Sequence, residues 1–206
     1  MSRRAVTVFF AASAAMALGG CVSLLPSTKP VQLYELSPEV QAAPTTALGR
    51  PPVDVRLESV RFQHAAAGDR MLTVNDGEAA YVGGARWVSP AETLFEEGLG
   101  RAFARHASGV RLVPHSAVEG ASYALSVDVD TFQVRMAGGT PTVETALRAR
   151  LIRFPEAKIV LDRRIEVTRQ ADAGRVASIV RAYNAALGAA LTTLVESTEE
   201  AAATGR

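Results

Sequence analysis

SYALSVDVDTFQVRM, residues 122–136, is the stretch that decides the fold. Tyr123, Leu125, Val127 and Val129 fall on every second position, with Ser126, Asp128 and Asp130 between them. Side chains two apart on a strand point to one face, so this is a strand with one dry and one wet face. The alternation loses phase near Thr131, which predicts a bulge or twist there. TVETALRARLIRF, residues 142–154, repeats the pattern with Val143, Leu147 and Leu151 set against Glu144, Arg148 and Arg150. After a turn at Pro155-Glu156-Ala157-Lys158, IVLDRRIEVTRQ returns as residues 159–170. Three long strands in succession predict an antiparallel meander.

Beyond the meander, Val176, Val180, Tyr183, Leu187, Ala190 and Leu194 are spaced four and three apart. That spacing predicts a helix from about Arg175 to Ser197 with one apolar seam, which docks on the sheet. Residues 199–206 read as a flexible tail, rich in alanine and polar side chains. On the other side of the meander, Ser89-Pro90-Ala91-Glu92 predicts a capping box with proline at the first helical position. Leu94, Phe95, Gly98, Leu99, Ala102 and Phe103 then form an apolar stripe, and Gly109 is a plausible stop.

Further upstream, MLTV (71–74) and AAYVGGARWV (79–88) flank Asn75-Asp76-Gly77-Glu78, a hairpin signal with a four-residue separation. Gly83-Gly84 lies inside the second strand pattern and lacks the context of a phosphate loop, so a bulge or a close backbone approach is expected. Residues 61–70 read as a loop or strand end. VDVRLESV, from Val53, alternates cleanly, 38–52 reads as a loop, and Val31 to Leu36 is a further strand. The fold class expected is α/β of the α+β type: one compact domain over residues 31–198, with no internal repeat. Its sheet is mixed or mostly antiparallel, packed by a capped central helix and a long C-terminal helix.

The N-terminus has a different character. Arg3 and Arg4 precede an uncharged run of small and apolar residues from Ala5 to Leu18, the form of an export signal. As a helix that run reaches about 21 Å, short of the roughly 30 Å hydrocarbon core of a bilayer. The single cysteine of the chain, Cys21, cannot form an internal disulfide. Leu18-Gly19-Gly20-Cys21 resembles the bacterial lipobox, with small residues that let a peptidase close on the bond before the thiol. Residues 1–20 are then a removed signal peptide, Cys21 becomes the lipidated first residue, and 21–30 is a tether. Three acyl chains, as that class of lipoprotein carries, exceed what stable anchoring needs. Val22 and Ser23 lack the aspartate that resembles an inner-membrane retention signal, so periplasm-facing attachment to the outer membrane of the cell envelope is expected. Removing Arg3 and Arg4 turns the formal charge from +1 to −1, which offers no electrostatic ground for binding nucleic acid.

Catalytic chemistry is hard to assemble from these residues. His64, His106 and His115 are dispersed, and a histidine in a last helical turn, as His106 is, complements the helix dipole. Ser116 lacks a nucleophile elbow. Asp128 and Asp130, two apart on a strand, place carboxylates about 7 Å apart, suited to acid–base work, to a hard cation or, more simply, to a solvated sheet face. Metal-ligand spacings are absent. Trp87, the single tryptophan, with Arg86 and Tyr34, are candidates for partner docking or for structure.

Taken in order, the lipobox cysteine, a Pro-containing tether, Tyr34-Glu35-Leu36, a V-x-V-x-L strand, Ala85-Arg86-Trp87-Val88-Ser89-Pro90 before a helix, three strands and a long C-terminal helix resemble the ABC-type transport auxiliary lipoproteins, the PqiC-like lipoproteins of MCE transport systems. The resemblance covers nearly all of the chain from Cys21 to about Ser197. It implies a non-enzymatic partner of an MCE-domain protein, an inner-membrane permease and an ATPase that move lipids or other apolar compounds. The chain would need no cofactor beyond the covalent lipid on Cys21, would dock the MCE assembly at the outer membrane, and could form a homo-oligomeric ring. The alternative is a pilot or assembly lipoprotein for another envelope machine such as a secretin.

Overall fold

The strand read from residues 122–136 is the hub of the sheet. The computed structural model describes residues 30–40, 42, 51–116 and 120–205. Its elements in chain order are β1 (Gln32–Tyr34), β2 (Val53–Phe62), the single turn α1 (His64–Ala67), β3 (Arg70–Asn75), β4 (Glu78–Trp87), α2 (Ala91–His106), β5 (Val110–Val113), β6 (Tyr123–Ala137), β7 (Thr140–Arg153), β8 (Lys158–Gln170) and α3 (Val176–Thr204). Eight strands form one sheet in the order β1-β4-β3-β6-β2-β5, with β7 on β6 and β8 on β7. Because β7 pairs along the whole of β6, the other edge of β6 is shared. There β2 takes Tyr123 to Val129 and β3 takes Val134 and Arg135, both parallel to β6.

The meander β6-β7-β8 is antiparallel as expected, and the sheet as a whole is mixed. Apolar positions face each other across β6 and β7: Leu125 opposes Leu151, Val127 opposes Ala149, and Val129 opposes Leu147. The register then slips between Val129 and Thr131, where the sequence loses phase, so that Phe132 and Val134 return to the dry face opposite Thr145 and Val143. α2 and α3 cover that face. Phe62, Phe95, Trp87, Phe132 and Tyr183 interlock there, with ring centroids 4.7–6.4 Å apart, the offset and edge-on contacts that aromatic quadrupoles favour.

Several details differ from the sequence reading. The Ser89–Glu92 capping box does not form: the helix begins at Ala91 after Pro90, with no side-chain cap. The N–H of Ala91 donates instead to the carbonyl of Gly68, 3.0 Å away, so a tertiary acceptor replaces a local one. The expected tail from residue 199 is helical to Thr204, and Ala202 is fully buried. Glu199 accepts from the backbone N–H groups of Ser108 and Gly109, and the Tyr123 hydroxyl donates to the Ala202 carbonyl. The hairpin loop is tighter than read, since Asn75 pairs with Glu78 and only Asp76 and Gly77, both at positive φ, make the turn. The stretch 61–70 finishes β2 and forms α1. Gly84 takes φ +69° where the β3–β4 register shifts, so the bulge is present; a Cβ at Gly83 or Gly84 would meet nothing within 4 Å, which excludes the close approach.

The segment after β1 is packed although no periodicity marks it. Leu36 and Val40 are buried, and Ser37 N–H donates to Asn184 Oδ1 at 2.9 Å. A Cβ on Gly98 would stand 3.2 Å from Pro38 Cγ, and one on Gly188 would stand 2.5 Å from the Glu39 carbonyl oxygen. These two mid-helix glycines admit a strap of residues 35–40 across α2 and α3.

Candidate docking face

With the helices on one side, the other face of the sheet is open and lined with arginine and carboxylate in cross-strand register. On β2 and β5, Arg111 makes two bonds to Asp54, of 2.8 and 2.9 Å. Asp128, at the centre of β6, accepts from Arg61 on β2 at 2.6 Å and from Arg150 on β7 at 2.8 Å. Arg148 holds Asp162 on β8 through two bonds of 2.6 Å, and Arg135 holds Glu144 at 2.6 and 3.0 Å. Arg164 pairs with Glu166 and, at 3.4 Å, with Asp130; Arg56 pairs with Glu58. Seven arginines and seven carboxylates therefore share this face, and each has an opposite partner. The planar guanidinium fork suits such two-point contacts, which lysine cannot make.

The pairing sets the titration of the face. The hydrogen bond from Arg61 holds the Asp128 carboxyl below the ordinary aspartate value, against the opposing effect of burial. Hydrogen bonds from Arg111 to Asp54 and from Arg148 to Asp162 act in the same direction, and Arg135, helped by Gln133, lowers Glu144. These carboxylates are ionised ligands of arginine, a state suited to scaffolding and poorly suited to proton transfer near neutrality.

The sequence-nominated residues fall in three groups. Leu18, Gly19, Gly20 and Cys21 lie outside the described residues. Asp128 stands on the open face ahead of the register slip and Asp130 within it, each tied to its own arginine partners. Trp87 is buried, 2% exposed, and meets Tyr183 edge-on at 5.2 Å, so it is a core residue. Arg86 pairs with Asp69 at 2.7 Å, and the Trp87 N–H donates to the Asp69 carbonyl. Tyr34 is in register with Trp87, and its hydroxyl donates to Gln32. Ala85-Arg86-Trp87 thus clamps the corner where β1, β4 and the start of β3 meet.

His106 and His115 have separate carboxylate neighbours: His106 lies 3.4 Å from Glu196 and His115 lies 3.8 Å from Glu58. Among the described residues no group of three or more His, Cys, Asp or Glu side chains could hold a metal ion, and no helix is long and apolar enough to cross a membrane. A cleft of about 630 Å³ lies between the strap and α2, where Glu35, Glu39 and Glu97 face Arg101 and Arg105. What the sequence reading missed was the arginine ladder itself. Its signal was present in the alternation of Arg148 and Arg150 against Asp128 and Asp130, but cross-strand partners are invisible without the register.

Comparison with known proteins agrees with this architecture. The family model described as the ABC-type transport auxiliary lipoprotein component matches residues 34–195. No curated protein matches the chain. Among solved structures, protein XCC0632 from Xanthomonas campestris is 24% identical, with a TM-score of 0.72 over 84% of this chain and 98% of that one. The crystal structure of an uncharacterized protein, 14% identical, aligns with a TM-score of 0.60 over 82% of this chain and 98% of its own. Both likenesses concern the fold.

Proposed function

Since the chain belongs to the ABC-type transport auxiliary lipoprotein family, we propose that it is the outer-membrane member of an MCE-type lipid transport system, held by acylated Cys21 and docking the MCE-domain protein from the periplasmic side. The observation that carries the docking role is the open sheet face. Its charges are balanced and fixed on strands by cross-strand pairs, which suits a polar protein surface rather than a polyanion or the inside of a bilayer. Carboxylates that an acid–base mechanism would use are engaged by arginines, in keeping with a non-enzymatic part whose transport energy comes from a partner ATPase. Several copies around one MCE tip would form a ring, each presenting the same face.

The test is photo-crosslinking in intact envelopes from a residue analogue placed at Glu166 on β8, beside a Cys21→Ala chain. Recovery of an MCE-domain protein from the anchored chain, reduced for Cys21→Ala, supports the proposal. Recovery of a secretin in its place would assign the chain to the pilot class.

A further inference from the structure

Three of the large aliphatic side chains left exposed lie around one edge of the sheet. Among the described residues, Val31, Leu33, Val88, Phe154 and Ile159 are the large hydrophobic side chains left exposed. Phe154 lies under the Arg56 guanidinium, 5.4 Å from its centroid. Three of the other four stand together. Val31 immediately precedes β1 and Val88 immediately follows β4; Leu33 is in register with Arg86, and the Val88 N–H donates to the Tyr34 carbonyl at 2.9 Å. Val88 stands at the rim of the cleft between the strap and α2, next to the end of β1. Leu33 is 63% exposed, the most of the five.

The three edges of the sheet also differ in how they are guarded. β8 pairs only with β7, β5 only with β2 and β1 only with β4; β5 carries Arg111. β8 carries Lys158, Asp162, Arg163, Arg164, Glu166 and Arg169, the charges by which edge strands discourage contact. Val31 to Tyr34 carries none.

Chain length says what meets this unguarded edge. Val31 follows Cys21 by ten residues, which span at most about 35 Å extended and average about 17 Å as a flexible coil. A domain of this size has a radius of gyration near 16 Å, so a lipid on Cys21 keeps β1 within reach of the membrane at high effective concentration. We infer that the β1 edge, through Val31, Leu33 and Val88, rests on the lipid surface and sets the orientation in which the open charged face is presented. This rests on the reading of Cys21 as the acylated residue. The contact is aliphatic in kind: Arg86 is already paired with Asp69, and Glu35 lies next to the patch, so anionic headgroups are not required.

The experiment uses the mature acylated chain on phosphatidylcholine vesicles, with and without phosphatidylglycerol. A nitroxide is attached at Leu33→Cys or, as a control on the guarded edge, at Ile159→Cys. The label at position 33 is expected to lose access to a water-soluble nickel complex severalfold relative to position 159, equally on both vesicle types. Val31→Asp with Val88→Asp is expected to return that label to water while the protein still floats with the vesicles. Equal nickel access at both positions overturns the inference with anchoring intact. So does protection seen only with phosphatidylglycerol, or spin–spin broadening at position 33, which would mean that copies pair through β1. Absence of acyl mass on Cys21 would instead overturn the anchoring reading, and this inference with it.

Discussion

At the scale of single residues, glycine and tyrosine positions carry the sharpest consequences. Gly188 leaves no space for a methyl group, since its Cβ would stand 2.5 Å from a backbone oxygen of the strap. Gly188→Ala is therefore expected to lower stability by about 1–3 kcal/mol in denaturant unfolding, the range for an overpacked contact. Gly98→Ala should cost less, because its neighbour at 3.2 Å is the Pro38 ring. Tyr183 presents the opposite case. Its hydroxyl is buried without a hydrogen-bond partner, and burial drives its pKa far upward. Tyr183→Phe removes a desolvated polar group and keeps the ring contacts with Trp87 and Phe132, so the melting temperature is expected to stay level or rise. A clear fall would show that the hydroxyl bonds an internal water.

At the scale of elements, the end of α3 and the ladder on β6 can be tested separately. Deleting residues 199–206 removes the Glu199 bonds to Ser108 and Gly109 and the buried Ala202. Bonds to an ionised acceptor are worth about 1.5–3 kcal/mol each, so the truncated chain is expected to lose at least about 2 kcal/mol; a free tail would have lost nothing. Asp128→Asn removes the negative charge between Arg61 and Arg150 and leaves one acceptor oxygen where each arginine now has its own. Arg61 is largely in solvent, 65% exposed, and the loss should be about 1 kcal/mol. The ladder also sets an acid limit. Asp54, Asp128 and Asp162 lie below the ordinary value of 3.8 when folded, so their contribution is whole above that pH and drains away as pH falls through the depressed values. Acid unfolding below pH 3.8, shifted to higher pH by high salt, is the expected profile in a circular-dichroism titration.

At the scale of the whole molecule, the sheet has one face covered by α2 and α3 and one open face of paired charges, with β1 at one of its edges. Cys21→Ala is expected to move the chain from the membrane fraction to the soluble periplasmic fraction on fractionation, without altering the folded domain. Much of the architecture was legible beforehand. The three strands of the meander, the phase slip beside Thr131, the hairpin at Asp76-Gly77 and the seam of α3 are properties of neighbours in the chain, written in periods of two and of about 3.6. The family follows from the same order of elements. Other features were decided only by tertiary structure. The sharing of β6 by β2 and β3, the replacement of the Ser89 cap by the Gly68 carbonyl, and the strap over Gly98 and Gly188 all depend on partners distant in sequence. So does the pairing of seven arginines with seven carboxylates. Hydrophobic period states which face of an element is dry, but the groups that oppose it across a sheet are set by register and crossover, which no local pattern encodes.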